Sequence, residues 1–561
     1  MRAQRISWIL ASTAIVILSG GGSTSADFVF GARVDLRSAI PVIDPALDIL
    51  DCFSADGLEM YISSWQRNGE NGHFDLFVSR RDSVDEDWGP SESLGQAVNT
   101  LNHDEIACIS GDGLTLYFCS DRPGGCGGWD IWATTRPTRN DAWGPAENLG
   151  LGINSATTAG ALSGADGEPW ISPNGLELYF ESYRPGGYGR ADIYVARRAT
   201  QNDPWEEPVN LGPVVNSQYG EQFLCLSPDR LVLFFCDHMD TSLPRPGGLG
   251  GPDIWMSRRA SLSDPWQAPV NPGSPINSSI VDTVPRLSPD GCTLYFATYD
   301  GTTWEYWQAP ILPIVDFNGD GNANGKDVIV LAQHWGESDS VCDIGPYAWG
   351  DGIVDEQDLF MLAEYLEKEF VDPTLVAHWA LDETEGIVAA DSAGGNDAMV
   401  MGDPAWQPEG GSVGGALAFD GVDDCIVTDP VAELSAGSFS ILAWVKGGAA
   451  DEVILSRGTA DWLYTNPADG SLMTAISSRV GNGVPLFSDT VITDGQWHRI
   501  GLLWDGTSRI LIVDEQEVAR DKQAELAISD DSLMIGTGPT PGRFFSGQID
   551  DIRIYNRVVK P

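Results

Sequence analysis

The stretch that decides the fold of the first half of the chain is Ser288-Pro-Asp-Gly291, followed by the apolar strand Leu294-Tyr295-Phe296. Copies of this unit continue into a Gly-rich turn, such as Arg122-Pro-Gly-Gly125, and a strand with an Asp-aromatic signal, such as Trp129-Asp130-Ile131-Trp132. A fourth short strand follows a Trp. The turn recurs upstream at intervals of 55 to 62 residues, beginning at Ser54, Ser110, Ser172 and Ser227. Four short strands per unit, repeated five times, predict a five-bladed β-propeller.

The fifth unit ends without a fourth strand of its own. It reaches Trp304-Glu305-Tyr306-Trp307 and then stops, whereas Phe30 to Leu36 align with Trp143 to Leu149 of the second unit. We therefore expect the N-terminal strand to complete the last blade of a propeller spanning residues 27–314, because ring closure removes exposed strand edges.

The repeated phrases carry a family resemblance. Ser-Pro-Asp-Gly, Leu-Tyr-Phe and Asp121-Arg-Pro-Gly-Gly125 resemble the WD40-like repeats of periplasmic, TolB-type propellers of bacteria. The resemblance covers roughly half of the chain. It implies a recognition scaffold more often than an enzyme.

Every unit places a carboxylate six residues before its turn serine. These side chains should lie near the start of the innermost strand, beside the central channel. They would either bind a cation or polar ligand at one mouth, or tie the blade to backbone N–H groups. Presence in every blade favours the tie, since functional sites usually break symmetry. The five residues are Asp48, Asp104, Asp166, Glu221 and Asp282.

Residues 315–370 predict a small helical calcium module. Oxygen side chains fall at loop positions 1, 3, 5, 9 and 12, with Gly321 at the turn and the backbone carbonyl of Asn322 at position 7. Calcium prefers such hard oxygen ligands. The five side chains are those of Asp316, Asn318, Asp320, Asn324 and Asp327. A helix should follow from Asp327 to Trp335 and bury Val328, Leu331, Ala332 and Trp335, which recur at helical spacing.

This loop and the helix after it resemble the type I dockerin, which is EF-hand-like and implies a cohesin-type scaffold protein as partner. The second half keeps Asp351, Asp355 and Asp358 as ligand candidates but has Tyr347 and Trp349 at positions 1 and 3. A longer loop that uses Asp343 is the alternative, and calcium there is as readily absent as present.

Residues 374–561 alternate apolar and polar residues in short strands, which predicts an antiparallel β-sandwich. The phrases Ala416 to Asp424, Asp494-Gly-Gln-Trp-His498 and Gly547 to Arg557 resemble laminin-G-like, concanavalin A-type jelly rolls. The resemblance implies glycan or protein binding and often a calcium ion. The candidate ligands are Asp391, Asn396 and Asp550, with turn-stabilising roles as the alternative. Trp444 and Trp504 alternate with apolar neighbours and should lie in the core.

Charge and the N-terminus bound the location of the protein. The chain has 561 residues and a net charge of −49, which excludes generic binding to nucleic acid or anionic membranes. Arg2 and Arg5 precede the apolar run Trp8 to Leu18, which predicts a signal peptide over residues 1–26. No later segment is apolar enough to cross a bilayer, so we expect a secreted or cell-surface protein.

The favoured function is therefore an exported, non-catalytic recognition or adhesion protein with a calcium-dependent docking module and glycan- or protein-binding β-domains. The alternative is an extracellular polysaccharide-degrading O-glycosyl hydrolase with its active site in the propeller. Such enzymes need two or three unequal carboxylates, which a symmetric acidic ring does not offer. None of the six His forms a close pair in the sequence. A structural surface protein is the third possibility.

Overall fold

The computed structural model of the protein describes residues 28–559 with short gaps, so the predicted signal peptide 1–26 lies outside the described residues. The gaps are residues 45, 66–72, 157–164, 240–244, 339–340, 367, 369–371, 373, 432–437, 477–483, 524–525, 527, 529–530 and 540–541. The chain forms two compact units, Phe30–Leu312 and a second that contains Pro313–Pro561 together with Phe28 and Val29. Both are built mainly from β-strands.

The first unit is a five-bladed β-propeller, which confirms the prediction from the repeats. The short strand β1 (Phe28–Phe30) precedes it, and the chain enters the propeller through β2 (Val34–Asp35) and the single helical turn α1 (Leu36–Ala39). The first blade contains β3 (Asp48–Phe53), β4 (Glu59–Trp65), β5 (Phe74–Arg80) and β6 (Glu92–Ser93). The second contains β7 (Asp104–Ile109), β8 (Thr115–Ser120), β9 (Asp130–Thr135) and β10 (Glu147–Asn148). The third contains β11 (Asp166–Ile171), β12 (Glu177–Ser182), β13 (Asp192–Arg197) and β14 (Val209–Asn210).

The last two blades depart from the four-strand pattern. The fourth has β15 (Glu221–Leu226), β16 (Val232–Asp237) and β17 (Ile254–Arg258), with a single bridge from Met256 to Val270 in place of a fourth strand. The fifth has β18 (Val281–Leu287), β19 (Thr293–Tyr299) and β20 (Trp304–Pro313).

The N-terminal segment supplies the outer strand of the fifth blade. Strand β2 runs antiparallel to β20, with Val34 opposite Gln308 and Asp35 opposite Trp307. The Asp35 carboxylate accepts a hydrogen bond from the Arg37 backbone N–H at 2.9 Å and so caps α1. Leu36 is then fully buried in a cluster formed with residues of the first and fifth blades.

The innermost strands carry the feature that shapes the channel. Each of the five contains a register shift about two residues after its start. In four of them a residue other than Gly adopts a left-handed backbone at this point, namely Ile106, Glu168, Phe223 and Val284, with φ between 51° and 54°. A bulge changes the direction of the side chains beside it, so the repeat positions whose side chains face the channel differ from blade to blade.

In the second unit, two short helices form a small core with the loops around them. They are α2 (Gly325–Gln333) and α3 (Glu356–Ala363), and each begins with a capping box, Asn324 with Asp327 and Asp355 with Asp358. Of the four residues predicted to be buried, Leu331 is buried and Val328 is half-buried, but the predictions for Ala332 and Trp335 are wrong because both are exposed. Helix α2 ends two residues before Trp335, which leaves the helical face and is 50% exposed.

The rest of this unit is a two-sheet sandwich. One sheet has the order β24-β25-β36-β27-β32-β33-β34, with β21 also paired to β36, and the other has β22-β23-β26-β35-β28-β29-β30-β31. Their facing apolar side chains form one continuous core. The strands are β21 (Leu375–Trp379), β22 (Val388–Ala389), β23 (Ala398–Met401), β24 (Ala405–Gln407), β25 (Ala416–Ala418), β26 (Cys425–Val427), β27 (Phe439–Gly447), β28 (Val453–Arg457), β29 (Ala460–Thr465), β30 (Ser471–Thr474), β31 (Leu486–Val491), β32 (Trp497–Trp504), β33 (Ser508–Val513), β34 (Gln516–Lys522), β35 (Leu533–Ile535) and β36 (Gly547–Tyr555).

The tryptophan prediction for the sandwich holds in part. Trp504 is buried in the core between the sheets, whereas Trp444 is only half-buried. Across the part of the chain that the structure describes, no helix has the length and apolar character needed to span a bilayer.

Candidate functional site

The five repeated carboxylates act as ties between a blade and the connection that leads into it. All five are buried at the start of an innermost strand. Each accepts a hydrogen bond from a backbone N–H of that connection; the donors are Asp44 to Asp48 (2.8 Å), Thr100 to Asp104 (2.6 Å), Ser155 to Asp166 (2.6 Å), Ser217 to Glu221 (3.0 Å) and Ser278 to Asp282 (2.7 Å). This arrangement supports the tie over a shared cation site.

The Gly-rich turns strengthen three of these ties. In the second, third and fourth blades the turn arginine forms a buried ion pair with the tie carboxylate; the pairs are Arg122–Asp104, Arg184–Asp166 and Arg245–Glu221. The repeated Arg-Pro-Gly-Gly phrase therefore has a structural function, because it delivers a guanidinium to a buried acid.

A second set of acids breaks the symmetry and lines the central channel. Asp51 lies three residues before its turn serine, Glu105 five and Glu168 four, while Glu181 comes from the next strand of the third blade. Asp51 and Glu181 are 2% and 3% exposed. These four acids are the functional candidates that the sequence reasoning missed.

Three of these acids, Glu105, Glu168 and Glu181, border a cavity of about 340 Å³, which we call the wide mouth. Phe74, Trp129 and Phe223 give it aromatic walls, and Glu105 and Glu181 give it carboxyl groups. Aromatic walls with a few convergent polar groups are typical of small-ligand sites.

A hydrogen-bond chain fixes the polar side of the wide mouth. The Gln222 Nε2 donates to Glu181 Oε1 at 3.0 Å and to the Tyr183 hydroxyl at 3.1 Å. The same hydroxyl lies 2.8 Å from His238 Nε2. These side chains hold one another in place, so the wide mouth presents a preorganised set of donors and acceptors.

More aromatic rings flank the wide mouth. Trp65, Phe74 and Trp129 surround His103, with ring centroids 5.4 to 6.1 Å from it. His73 lies 6.2 Å from the same ring, so two histidines that are far apart in the sequence meet in the fold. The absence of a close pair in the sequence was therefore a poor guide to their spacing.

Burial controls the protonation of the channel acids. It raises the pKa of Asp51 to about 7 and, together with the charge of Asp51, that of Glu105 to about 8. The pKa values of Glu168 and Glu181 are also raised, first by burial, and repulsion from Glu181 adds to the rise at Glu168. Near neutral pH the channel therefore holds carboxyl groups in both protonation states.

The cysteines of the propeller are offset along their hairpins. Cys108 lies opposite Tyr117, and Cys119 lies opposite Glu105. Cys225 lies opposite Phe234, while Cys236 lies opposite Gln222.

The first predicted calcium loop folds around its own acids. Asp316 accepts hydrogen bonds from the backbone N–H groups of Asp320 (3.1 Å) and Gly321 (2.9 Å). Asp327 accepts from Phe317 at 2.8 Å, and the Lys326 ammonium lies 2.8 Å from Asp320. The potential ligands are all oxygen atoms, which suits calcium by chemistry.

The second loop repeats this pattern with a different first residue. Asp343 accepts from the backbone N–H groups of Asp351 (2.9 Å) and Gly352 (2.8 Å), as Asp316 does in the first loop. Asp358 accepts from Ile344 and Gly345 and so corresponds to Asp327. Asp343 is thus the equivalent of position 1, and the alternative of a longer loop describes the fold better than the register that begins at Tyr347.

Side chains of the sandwich donate hydrogen bonds to backbone carbonyls of the first loop. Arg499 Nη2 donates to the carbonyl oxygens of Asn318 (3.2 Å) and Gly319 (2.7 Å), and the Tyr555 hydroxyl donates to Gly319 at 3.0 Å. Arg557 donates to the carbonyl of Asp316 at 2.5 Å. The loop and the sandwich therefore share buried polar contacts.

The candidate ligands of the sandwich fall into two places. Asp391 accepts hydrogen bonds from three or more backbone N–H groups, including His378 at 2.8 Å, and Asn396 Nδ2 donates to it at 3.1 Å. Asp550 instead accepts from Ser412 (2.6 Å) and Val413 (2.8 Å). These contacts fit turn stabilisation, and calcium at either place stays a prediction.

Among the described residues, one group of three acidic side chains brings its oxygen atoms within 4.8 Å of one another: Asp420, Asp423 and Asp424. Asp424 already accepts backbone hydrogen bonds from Asp403 and Asp420, both at 2.8 Å. The cluster is therefore explained by the turn it stabilises.

Comparison with known proteins assigns the C-terminal part. Residues 420–561 match the family model of the concanavalin A-like lectin/glucanases superfamily. The C-terminal domain is a concanavalin A-like jelly roll. The match supports the laminin-G-like prediction for this domain. It does not extend to the propeller or to the predicted calcium loops. No curated protein sequence matches the chain.

Solved structures show only distant likenesses. A Trypanosoma rangeli sialidase in complex with the inhibitor DANA has a TM-score of 0.40 and 13% identity, over 97% of this chain and 95% of the sialidase. Domain 4 of AbnA, an extracellular arabinanase from Geobacillus stearothermophilus in complex with arabinotriose, has a TM-score of 0.25 and 18% identity, over 32% of this chain and 92% of that domain. With TM-scores this low, neither likeness supports a conclusion about function.

Proposed function

We propose that the protein is an exported, non-catalytic recognition protein that binds glycans through the wide mouth of its propeller. The observation that carries this proposal is the cavity of about 340 Å³ with aromatic walls at Phe74 and Trp129. In the lining of the same cavity, Gln222 and Glu181 provide polar atoms held in a hydrogen-bonded set. Sugars present apolar C–H faces and hydroxyl edges, which such a site accommodates.

The other domains extend this role. The jelly roll is proposed to bind a second glycan or a surface protein, and the dockerin-like module to dock the protein on a cohesin-type scaffold. Calcium would be held by Asp316, Asn318, Asp320, Asn324, Asp327 and the Asn322 carbonyl, and in the second loop by Asp343, Asp351, Asp355 and Asp358. The all-oxygen ligand set and the matching hydrogen-bond patterns of the two loops support this proposal.

A glycan array followed by calorimetry on the full chain tests the proposal. Trp129→Ala and Gln222→Ala should each weaken binding of the best array ligand by about tenfold, the loss expected for one buried hydrogen bond or stacking contact. Tyr188→Ala, at a 50% exposed tyrosine of the propeller, is the matched control and should bind like the wild type. An array without any bound glycan would contradict the proposal.

Catalysis is the second candidate, and the unequal channel acids favour it. Glycosidases need one protonated and one ionised carboxyl group on either side of the bond they cleave, and the channel holds Glu105, Glu168 and Glu181, whose raised pKa values have different causes besides burial. A hydrolysis screen on complex polysaccharides should show no turnover if the protein only binds. Turnover that Glu181→Gln abolishes in a folded protein would establish the hydrolase instead.

A further inference from the structure

The opposite end of the channel has a different chemistry. A cavity of about 130 Å³, the narrow mouth, lies where the innermost strands end, and Pro173, Pro228 and Pro289 of the turns border it. The side chains two residues before the turn serines line it, and they differ in type between blades: Cys52, Cys108, Trp170, Cys225 and Arg286. One cation and one large aromatic ring therefore share this level of the channel with three thiols.

The guanidinium of Arg286 is buried and has few hydrogen-bond partners. It is 6% exposed, and its one hydrogen bond to a described residue runs from Nη1 to the Pro285 carbonyl at 2.9 Å. By contrast, Arg136 and Arg245 of the same propeller form buried ion pairs with Glu59 and Glu221. A guanidinium has five N–H donors, and burying it without a carboxylate hydrogen-bonded to it is unfavourable. A ligand that brings an anion into the narrow mouth would satisfy it.

The charged groups that face Arg286 are Asp51 and Glu168, which line the same cavity with the thiols of Cys52, Cys108 and Cys225. Burial raises the pKa of both carboxyl groups, that of Asp51 to about 7. At mildly acidic to neutral pH these acids therefore offset the guanidinium charge only in part, which leaves room for an anionic ligand.

We infer that the narrow mouth binds the terminal uronic acid residue of an acidic glycan, with the sugar carboxylate on Arg286 and the pyranose ring against Trp170. A carboxylate matches the planar fork of a guanidinium in two parallel hydrogen bonds. The narrow mouth, at about 130 Å³, is smaller than the engineered cavity of about 150 Å³ that holds one benzene ring, so it encloses only part of one sugar residue and selects a chain end, with the rest of the residue in the open channel. The inference rests on the proposed glycan recognition and adds the ligand class and a second subsite.

Calorimetry on the full chain at about 0.15 M salt, where the repulsion between the acidic protein and the ligand is screened, tests the inference. D-Galacturonic acid should bind at least tenfold more tightly than D-galactose, which lacks the carboxylate. Arg286→Gln should remove this preference, and Arg286→Lys should restore part of it because it keeps the charge without the fork. Arg37→Gln, at an arginine whose side chain is 53% exposed, is the matched control and should change nothing.

Three results would overturn the inference. They are equal affinity for the two sugars in the wild type, an unchanged preference in Arg286→Gln, and equal binding of benzoate, which would identify a site for any small carboxylate. If Arg286→Gln does not fold, the comparison of ligands and the Arg286→Lys variant still decide. Array binding of neutral glycans without a uronic acid preference would reject this subsite and leave the proposed function standing.

Discussion

At the residue scale, the molecule uses buried acids for two purposes. Asp104 and its equivalents stabilise blade connections, because each accepts a backbone hydrogen bond at the same place in its repeat. Asp51, Glu105 and Glu168 occupy different positions in their repeats and face the channel. Repetition therefore marks the structural acids, and its absence marks the candidates for ligand binding.

The tie at Asp104 makes a direct prediction. Asp104→Asn removes the charge that Arg122 pairs with, and breaking a buried ion pair costs about 3 kcal/mol or more. The Tm should fall by about 6 °C or more, while glycan binding by the folded protein stays unchanged. Asp85→Asn, at an exposed carboxylate of the same domain, should leave the Tm unchanged. Loss of binding without loss of stability would place Asp104 in a ligand site.

The buried carboxyl group of Asp51 predicts that the stability of the protein depends on pH. Its pKa is raised to about 7 by burial, above the value of the unfolded chain. Between about pH 4 and pH 7 the unfolded state therefore loses the proton first, and the contribution of Asp51 to stability falls as the pH rises. Asp51→Asn keeps an acceptor for the Ser63 hydroxyl and removes this loss.

The Tm of Asp51→Asn should thus exceed that of the wild type by about 2 °C or more at pH 8, and the difference should vanish near pH 4. Thermal melts at the two pH values check this. A Tm difference that is the same at both would mean that Asp51 is ionised in the folded protein across this range.

The sequence predicted the ties and the blades for the same physical reason. Turn and strand signals at fixed spacing recur whenever one unit is copied, so Ser288 and its four equivalents could be found without a structure. The channel acids could not be predicted in this way. The bulges shift the face on which later side chains lie, so that Asp51 and Glu168 reach the channel from different repeat positions. The signal that the sequence offered for these channel acids was that they have no equivalents at the same position of the other blades.

At the element scale, the last blade depends on a segment distant in sequence. Strand β2 adds only two residue pairs to β20, which is a small gain by itself. The apolar residues after it contribute more, because Leu36 and Ile40 are 0% and 4% exposed in the cluster shared with the first and fifth blades. Closure therefore depends on side-chain burial as much as on strand pairing.

Leu36→Ala should lower the Tm of the propeller clearly, since removing a buried leucine costs about 2–5 kcal/mol. Val34→Ala, two residues earlier at a 47% exposed position, should have little effect. Deletion of residues 27–40 should destabilise the propeller further by exposing the edge of β20. If the deleted protein melts as the full-length chain does, ring closure by this segment is wrong.

At the scale of the whole molecule, the two predicted calcium loops belong to the same compact unit as the jelly roll. The sequence predicted two separate modules here, 315–370 and 374–561, because their motifs are unrelated. It could not show that Arg499, Tyr555 and Arg557 donate to the backbone of the first loop, since arginine and tyrosine have no positional signature for such contacts. Removal of calcium should therefore affect more than the loops.

Hydrogen exchange on the full chain with calcium and with a chelator measures this coupling. Without the ion, Asp316, Asp320 and Asp327 would face one another without the divalent counter-charge, and the loop that carries them should loosen. Because Arg557 and Tyr555 bond to that loop, protection should fall in residues 315–368 and at the end of β36, while the propeller strands keep theirs. Asp320→Ala should reproduce this pattern in the presence of calcium, whereas Asp351→Ala, its counterpart in the second loop, should spare β36. Exchange that is identical with and without calcium throughout residues 315–368 would refute both the ion and the coupling, and a loss confined to the loops would refute the coupling alone.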